Sequence, residues 1–367
     1  MDGMTALPRK MRGLMMGAAA ALLMSAMAVG VAPHAAWAQD LGPAGQTGAT
    51  AELVAAAKKE GALTFYGTAQ QDSYDTVFAE FMKDYPQIKV TATRVRTANF
   101  LERVLLEFKS GDNKADVVHA TSELAELEEA GAIEPYAGVD KYQAEHYRFP
   151  APKAMPGLVT DAILVKFVDY NTSMLKPADL PKTWDDLLDP KWKGKLALDI
   201  EGYEWFAAMW KTMGPEKADV FMKALSKNVV LREGATQIME LMVAGEFPIS
   251  LEAYGHRIAD FQKQGAPVDV VHPIFQPITV IPSYWGAIKT AKHPNAAKLV
   301  LHWLASDRGQ AAQAKAGRVP VLKTGVDHPV LKWLDDGKPA TFVIEPKSID
   351  YTEVAKQFNT YFVRAKQ

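Results

Sequence analysis

A short apolar run, a small polar loop and an amphipathic stretch follow one another three times between residues 62 and 131, and this order limits the fold more than any other feature. Residues 63–66, 90–95 and 116–119 are the apolar runs, at roughly 25-residue spacing. After the first, Tyr74, Phe78, Phe81, Met82 and Tyr85 recur at helical spacing until Pro86. After the second, Leu101, Val104, Leu105 and Phe108 line one helical face, with Gly111 beyond. After the third, a helical pattern leads from Ser122 to Ala130, with Gly131 following. Strands alternating with helices of this length read as βαβ units, because parallel neighbours need a long crossover. The expectation is an α/β fold with a parallel sheet covered on both faces. Ligands gather beyond the carboxyl ends of such strands. Loops 67–71, 96–98 and 120–122 are therefore expected to converge.

Ala51 to Glu60, stopped by Gly61, reads as a helix ahead of the first strand. The middle of the chain changes character. Residues 162–170 are apolar apart from Lys166 and Asp169, and Pro177, Pro181 and Pro190 then break the pattern. Residues 196–200 and 229–232 read as strands, each followed by a loop and a helix start. Residues 247–252 are another strand, ahead of Ala253-Tyr254-Gly255. A second α/β unit thus begins near residue 174, and a chain of 367 residues commonly divides in two. Pro294 suits the first position of a later helix whose face is Ala297, Val300, Leu301 and Leu304.

The N-terminus carries an address. Arg9, Lys10 and Arg12 precede an uncharged run over 14–32, and Ala36-Trp37-Ala38 forms a small-x-small exit before Gln39. This is the pattern of a secretory signal peptide cleaved after Ala38. An N-terminal membrane anchor is the alternative reading of the same run. Residues 39–50 are mostly small, with Gly and Pro, and read as a flexible lead-in. The sequence has no cysteine, which excludes disulfides, thiolate metal sites and a lipidated cysteine after the leader. The expected compartment is a bacterial periplasm, with the mature chain a monomer not inserted in a membrane. A formal net charge of −2 argues against nucleic acid as a partner.

Asn171-Thr172-Ser173, the block from Leu180 through Trp184 to Leu187, and Pro190-Lys191-Trp192-Lys193-Gly194-Lys195-Leu196 closely resemble one family. So do Pro294-Asn295-Ala296-Ala297, Trp303-Leu304-Ala305-Ser306, Gly309-Gln310 and Gly317-Arg318-Val319-Pro320-Val321. It is the solute-binding proteins of ABC importers, in the branch of the ferric-ion-binding proteins. The resemblance implies a type 2 periplasmic-binding fold, with two α/β lobes joined by two extended crossings and a ligand cleft between them. On this chain the crossings fall near 162–171 and 274–285. Lobe 1 would comprise 51–170 and 286–367, and lobe 2 would comprise 171–285. The implied partners are a small-molecule ligand and an inner-membrane ABC permease. No cofactor is implied.

Candidate ligand-binding residues lie where strands end. They are Thr68 and Gln70 on the first loop, Thr121 and Ser122 on the third, Tyr203 after the strand ending near 200, and Arg232, Gly234, Ala235 and Thr236. Tyr254 opens the helix after 247–252, and Arg257 lies one turn further on. Backbone N–H groups at a helix start suit an anion, and an arginine grips carboxylate or phosphate in bidentate fashion. The plainer alternatives are a surface salt bridge for Arg232, helix capping for Thr121 and Ser122, and packing for Tyr254. His119 is expected to be a core histidine. In ferric-binding relatives the Tyr254 region carries an adjacent tyrosine pair, whereas Gly255 stands in the second place here, and no histidine follows the first strand. A metal role therefore rests on Tyr254 alone. The sequence carries no Gly-x-Ser-x-Gly elbow and no phosphate loop ending in Gly-Lys-Ser/Thr. The expected role is capture of an anionic or oxygen-rich solute. The alternatives are ferric-iron binding, a secreted enzyme, or a ligand-sensing module on the same fold.

Overall fold

The computed structural model describes residues 41–363 except 136–137, 149–156, 324 and 346. The expected signal peptide, including its cleavage site, lies outside the described residues. The three strands expected in the first part form as β1 (Ala62–Gly67), β2 (Lys89–Arg94) and β3 (Val117–Ala120), with β1 parallel to both neighbours. Then comes β4 (Leu158–Asn171), a long buried strand. In the second part β5 (Leu196–Asp199) runs parallel to β6 (Val229–Arg232) and to β7 (Ile249–Tyr254). Short β8 (Val268–Val270) pairs with β4. The chain then returns through β9 (Ile278–Ala287), and β10 (Val319–Pro320) and β11 (Thr341–Val343) pair with β4 and β9. The main strand order is β2-β1-β3-β9-β4-β7-β5-β6.

Two parallel half-sheets are thus joined through β9 and β4, which pair antiparallel with each other, with β3 on one side and with β7 on the other. These are the two crossings expected from sequence, each a few residues displaced. Both are buried on nearly every residue because helices or sheet cover both faces.

The core of the first half gathers Phe65, Tyr74, Phe78 and Trp285, with the Phe65 and Trp285 rings 4.5 Å apart. Helix Pro294–Leu304 closes that core from above, with eight buried residues that fix its orientation. Its first turn is held by Glu60, whose carboxylate accepts the N–H groups of Asn295 (3.1 Å) and Ala296 (2.7 Å). That arrangement satisfies donors which a helix start otherwise leaves free. Helix Ala51–Glu60 forms over the expected bounds, capped by Thr50 Oγ1 and closed by Gly61 at φ 68°.

Two expectations are corrected. Residues 42–47, read as flexible, form a 3₁₀ helix (Gly42–Thr47) with Ala44 and Thr47 buried. Small side chains let this segment lie against helix Pro294–Leu304, where Thr47 Oγ1 donates to the His302 carbonyl at 2.9 Å and Tyr85 donates to the Leu41 carbonyl at 2.7 Å. The C-terminal tail, assigned to the first lobe, packs on the second. Helix Pro329–Gly337 puts Val330, Leu331 and Leu334 into a cluster with Ile238 and Ile258. Helix Tyr351–Phe362 puts Phe358 and Phe362 among Trp205, Phe206 and Leu225. The apolar face of the first covers helix Gly255–Lys263 and that of the second covers helix Tyr203–Met213, and burial outweighs sequence proximity.

Phe358 is fully buried against Tyr203, Phe206 and Phe362. Phe358→Ala is expected to cost about 3–5 kcal/mol through lost burial and the cavity left behind. Urea unfolding measures it, and an unchanged midpoint would contradict the placement of the tail.

Candidate ligand-binding cleft

In both half-sheets the strands end toward the middle of the molecule, so the helices that follow begin there. The first turns of helices Gln71–Asp84, Glu123–Glu129, Tyr203–Met213, Ala235–Val243 and Gly255–Lys263 line a cleft of about 1400 Å³. Thr68, Gln70, Thr121, Ser122, Tyr203, Gly234, Ala235, Thr236, Tyr254 and Arg257 all line it.

Arg232 does not belong to the lining. It sits on the edge strand β6, where its guanidinium pairs with Glu246 and its Nη1 donates to the Leu231 carbonyl at 2.8 Å. The surface salt bridge is what forms, because Glu246 stands beside that edge. The Gly234 N–H is also occupied, donating to Asp199 Oδ1 at 3.3 Å. Thr236 Oγ1 instead accepts from Arg257 Nη2 at 3.2 Å, which holds that guanidinium at the cleft wall, 3.8 Å from Asp260. Thr121 donates to Glu123 Oε2 at 3.2 Å, and Ser122 makes no side-chain cap.

The cleft floor is a buried polar network that sequence reading missed. The β4–β9 register shifts between Thr160 and Ala162, so Asp161 is a bulge residue turned out of the ladder. Its Oδ1 accepts from Ser283 Oγ at 2.8 Å, and its Oδ2 lies 3.4 Å from Arg318 Nε. Arg318 Nη2 donates to Ser283 Oγ at 2.8 Å and to His119 Nε2 at 3.2 Å. A guanidinium only donates, so Nε2 accepts and the proton sits on Nδ1, 2.6 Å from the Tyr74 hydroxyl. His119 is the satisfied core histidine expected, and burial, with Arg318 beside it, lowers its pKa and keeps it neutral. Burial pushes Asp161 up, but the Arg318 charge, the His119 contacts and the Ser283 hydrogen bond outweigh it and bring the carboxyl to about 2.

A second charged group lies under the other half. Lys166, on β4, places Nζ 2.7 Å from Glu252 Oε2 and 3.3 Å from Glu204 Oε2, and 5.1 Å from the centre of the Tyr254 ring. Tyr351 donates to Glu204 Oε1 at 3.3 Å. Glu252 Oε1 is buried without a hydrogen-bond partner, and any side chain at Gly202 would collide with it. Burial pushes Glu252 up to about 7; Lys166 pulls it down, while Asp199 and Glu204 add to the rise. Lys166 is held charged, well above its ordinary value, because the attraction of Glu252, Tyr254 and Glu204 exceeds the penalty of burial. Tyr254 is pulled down by Lys166, but burial and the Glu204 and Glu252 charges leave it at about 12. A lysine inside the apolar run 162–170 was the readable signal for this group, since a buried ammonium needs carboxylate partners.

Gly255 follows from packing. A Cβ there would stand 2.7 Å from the Phe167 ring and 3.0 Å from Val330 Cγ2. The second tyrosine of the ferric-binding pattern therefore has no room in this conformation. Among the described residues, no three His, Asp or Glu side chains are grouped so as to hold a metal ion.

Residues 67–311 match the sequence model of the family described as bacterial extracellular solute-binding protein. An Fe(3+)-binding periplasmic protein of Serratia marcescens is 25% identical over 149 residues, 38% of this chain and 44% of that protein, so the match spans under half of the relative. An uncharacterized protein of Haemophilus influenzae is 26% identical over 277 residues, 71% of this chain and 78% of its own length. Among solved structures, the periplasmic binding protein AfuA of Actinobacillus pleuropneumoniae with fructose-6-phosphate bound has a TM-score of 0.61 at 20% identity, covering 82% of this chain and 98% of its own. Iron-bound HitA of Pseudomonas aeruginosa has a TM-score of 0.64 at 19% identity, with the same coverage. These likenesses identify the fold as the two-lobed type 2 periplasmic-binding fold.

The Glu252 carboxyl gives a pH signature. Its folded-state pKa, about 7, lies above its ordinary value of 4.5. The stability it contributes is complete below the unfolded value and is lost as pH rises through the folded one. Glu252→Gln is expected to flatten stability between those limits, measured by denaturant unfolding from pH 4 to 8; an unaltered profile would refute the assignment.

Proposed function

Because this chain belongs to the bacterial extracellular solute-binding proteins, we propose that it captures a small, anionic, oxygen-rich solute in the periplasm and delivers it to an inner-membrane ABC permease. The observation that carries this reading is the convergence of five helix starts on one cleft, with Arg257 held at its wall and Arg318 at its floor. Helix starts present unpaired N–H groups and the positive end of the dipole, which favour negative charge. A sugar phosphate bound to AfuA, on the same fold, is a ligand of this chemical type. Capture would work by closure of the two halves about β4 and β9, in the manner of hinge-closing binding proteins. The leader before Gln39 supports release into the periplasm, and no helix among the described residues is long and apolar enough to cross a membrane. The work is binding and signalling of the bound state, with no chemical step.

Ferric iron is the second reading, favoured by Tyr254 in the cleft and by the names of the Serratia and Pseudomonas relatives. The Lys166 ammonium beside the Tyr254 ring and the crowding at Gly255 count against it, since a cation there repels a trivalent ion.

Calorimetry with carboxylates, phosphonates, sugar phosphates and neutral sugars is expected to show tight binding of an anion. Arg257→Ala is expected to weaken it by about ten- to a hundredfold, the worth of one hydrogen bond to a charged group. Tight binding of neutral or cationic ligands alone would overturn the reading. Ferric citrate is expected to give no tyrosinate–iron colour; a colour that Tyr254→Phe abolishes would install the second reading in its place.

A further inference from the structure

Lys347 holds φ 62°, in the left-handed region that a lysine seldom adopts, on the segment that leads into helix Tyr351–Phe362. A residue keeps such a conformation when its surroundings over-determine it. Here they act from two sides. The residues after it are fixed to the second half. The Ser348 carbonyl accepts from Lys211 Nζ at 2.7 Å, Ile349 is buried with Ala207 and Ile281, and the Tyr351 hydroxyl donates to Glu204 Oε1. Lys211, Ala207 and Glu204 all belong to helix Tyr203–Met213. The Lys347 side chain leaves that half. Its Nζ lies 2.5 Å from Oε1 of Glu129, the last residue of helix Glu123–Glu129. That helix follows β3 and starts at the cleft on the first half.

The end of helix Glu123–Glu129 suits a cation, because the negative end of the dipole lies there and Glu126 and Glu128 stand close by. The pair is exposed on both partners, so its worth is small: such a pair alters an equilibrium by up to about fivefold. That is too little to hold a fold together. It is enough to bias two arrangements of similar free energy. Lys347 travels with the second half and Glu129 with the first, so rotation about β4 and β9 changes their separation directly. Tyr351, four residues further on, lines the cleft. One short segment thus links the relative orientation of the halves to a side chain that faces the ligand.

We propose that residues 347–351 form a clasp between the two halves. The tail grips helix Tyr203–Met213, and Lys347 reaches across to Glu129 and favours the separation of the halves described above. The clasp rests on closure about β4 and β9 as the mode of capture. Lys347 acts as a positioning residue, since it touches Glu129 and is absent from the cleft lining.

The sequence has no cysteine, so Lys109→Cys on helix Thr97–Ser110 and Lys217→Cys on helix Pro215–Leu225 place one spin label on each half, at exposed positions clear of the clasp. Double electron–electron resonance then reads the separation of the halves in the purified, labelled chain. Lys347→Glu and Glu129→Lys are each expected to shift the ratio of short to long separations by about two- to fivefold, in the same direction. Lys347→Arg is expected to leave the ratio unchanged, and the double reversal to restore it, which separates the ion pair from any general effect of substitution. Thermal melts establish that each variant is folded. A ratio that ignores both reversals, or that shifts and is not restored, overturns the clasp. Closure is judged on the labelled chain without reversals, with those carboxylates, phosphonates and sugar phosphates that calorimetry shows to bind. A shift on binding leaves closure standing even where the clasp has failed. Binding that leaves the labels unmoved overturns closure, and the clasp with it.

Discussion

The antiparallel pairing of β4 with β9 is the constraint on which the rest of the molecule depends. Each strand is long enough to belong to both half-sheets, so a single ladder carries β3 on one flank and β7 on the other. Because the outer strands of each half run parallel, their carboxyl ends and the helix starts beyond them face the same central gap. The cleft is a result of that topology before any particular side chain is considered. The side chains then divide it. Asp161, turned out by the bulge in β4, anchors the floor on the first half, and Lys166, further along the same strand, anchors the second.

Both anchors are buried charges, and both obey the same rule. Removing an ion from water costs several kcal/mol unless partners and hydrogen bonds replace the lost hydration. Arg318 meets that condition through Asp161, Ser283 and His119, with Tyr74 completing the set behind them. The Lys166 group meets it through Glu252 and Glu204, although Glu252 keeps one oxygen unsatisfied. Neither network is complete, since Asp161 Oδ2 and Arg318 Nε also make no hydrogen bond and meet only as an ion pair at 3.4 Å.

Much of the fold was readable from the sequence because period and punctuation are local. Apolar runs of strand length, Gly61, Pro86 and Gly111 marked element ends that the structure reproduces within a residue or two. The loop residues of the cleft were readable for the same reason, since strand ends locate them. Arg318 and Glu252 were not, because their importance comes from register: Arg318 enters β10 beside the bulge that turns out Asp161, and the pairing of β7 with β4 decides which carboxylate reaches Lys166. Arg232 misled because residue type and spacing are right while the strand is at the sheet edge, with Glu246 at hand. The tail misled because its partners, helices Tyr203–Met213 and Gly255–Lys263, lie far back in the chain.

The crowding around Gly255 bears on how such a cleft changes allegiance over generations. Placing a tyrosine there collides with Phe167 on β4 and with Val330 on helix Pro329–Gly337, two elements that have nothing to do with each other in sequence. A single substitution would damage the packing before it could offer a new ligand oxygen. The route runs through prior shrinkage at both neighbours, and each of those steps alone opens a cavity of its own. A second tyrosine beside Tyr254 therefore needs more than one change, with room made at Phe167 and Val330 first.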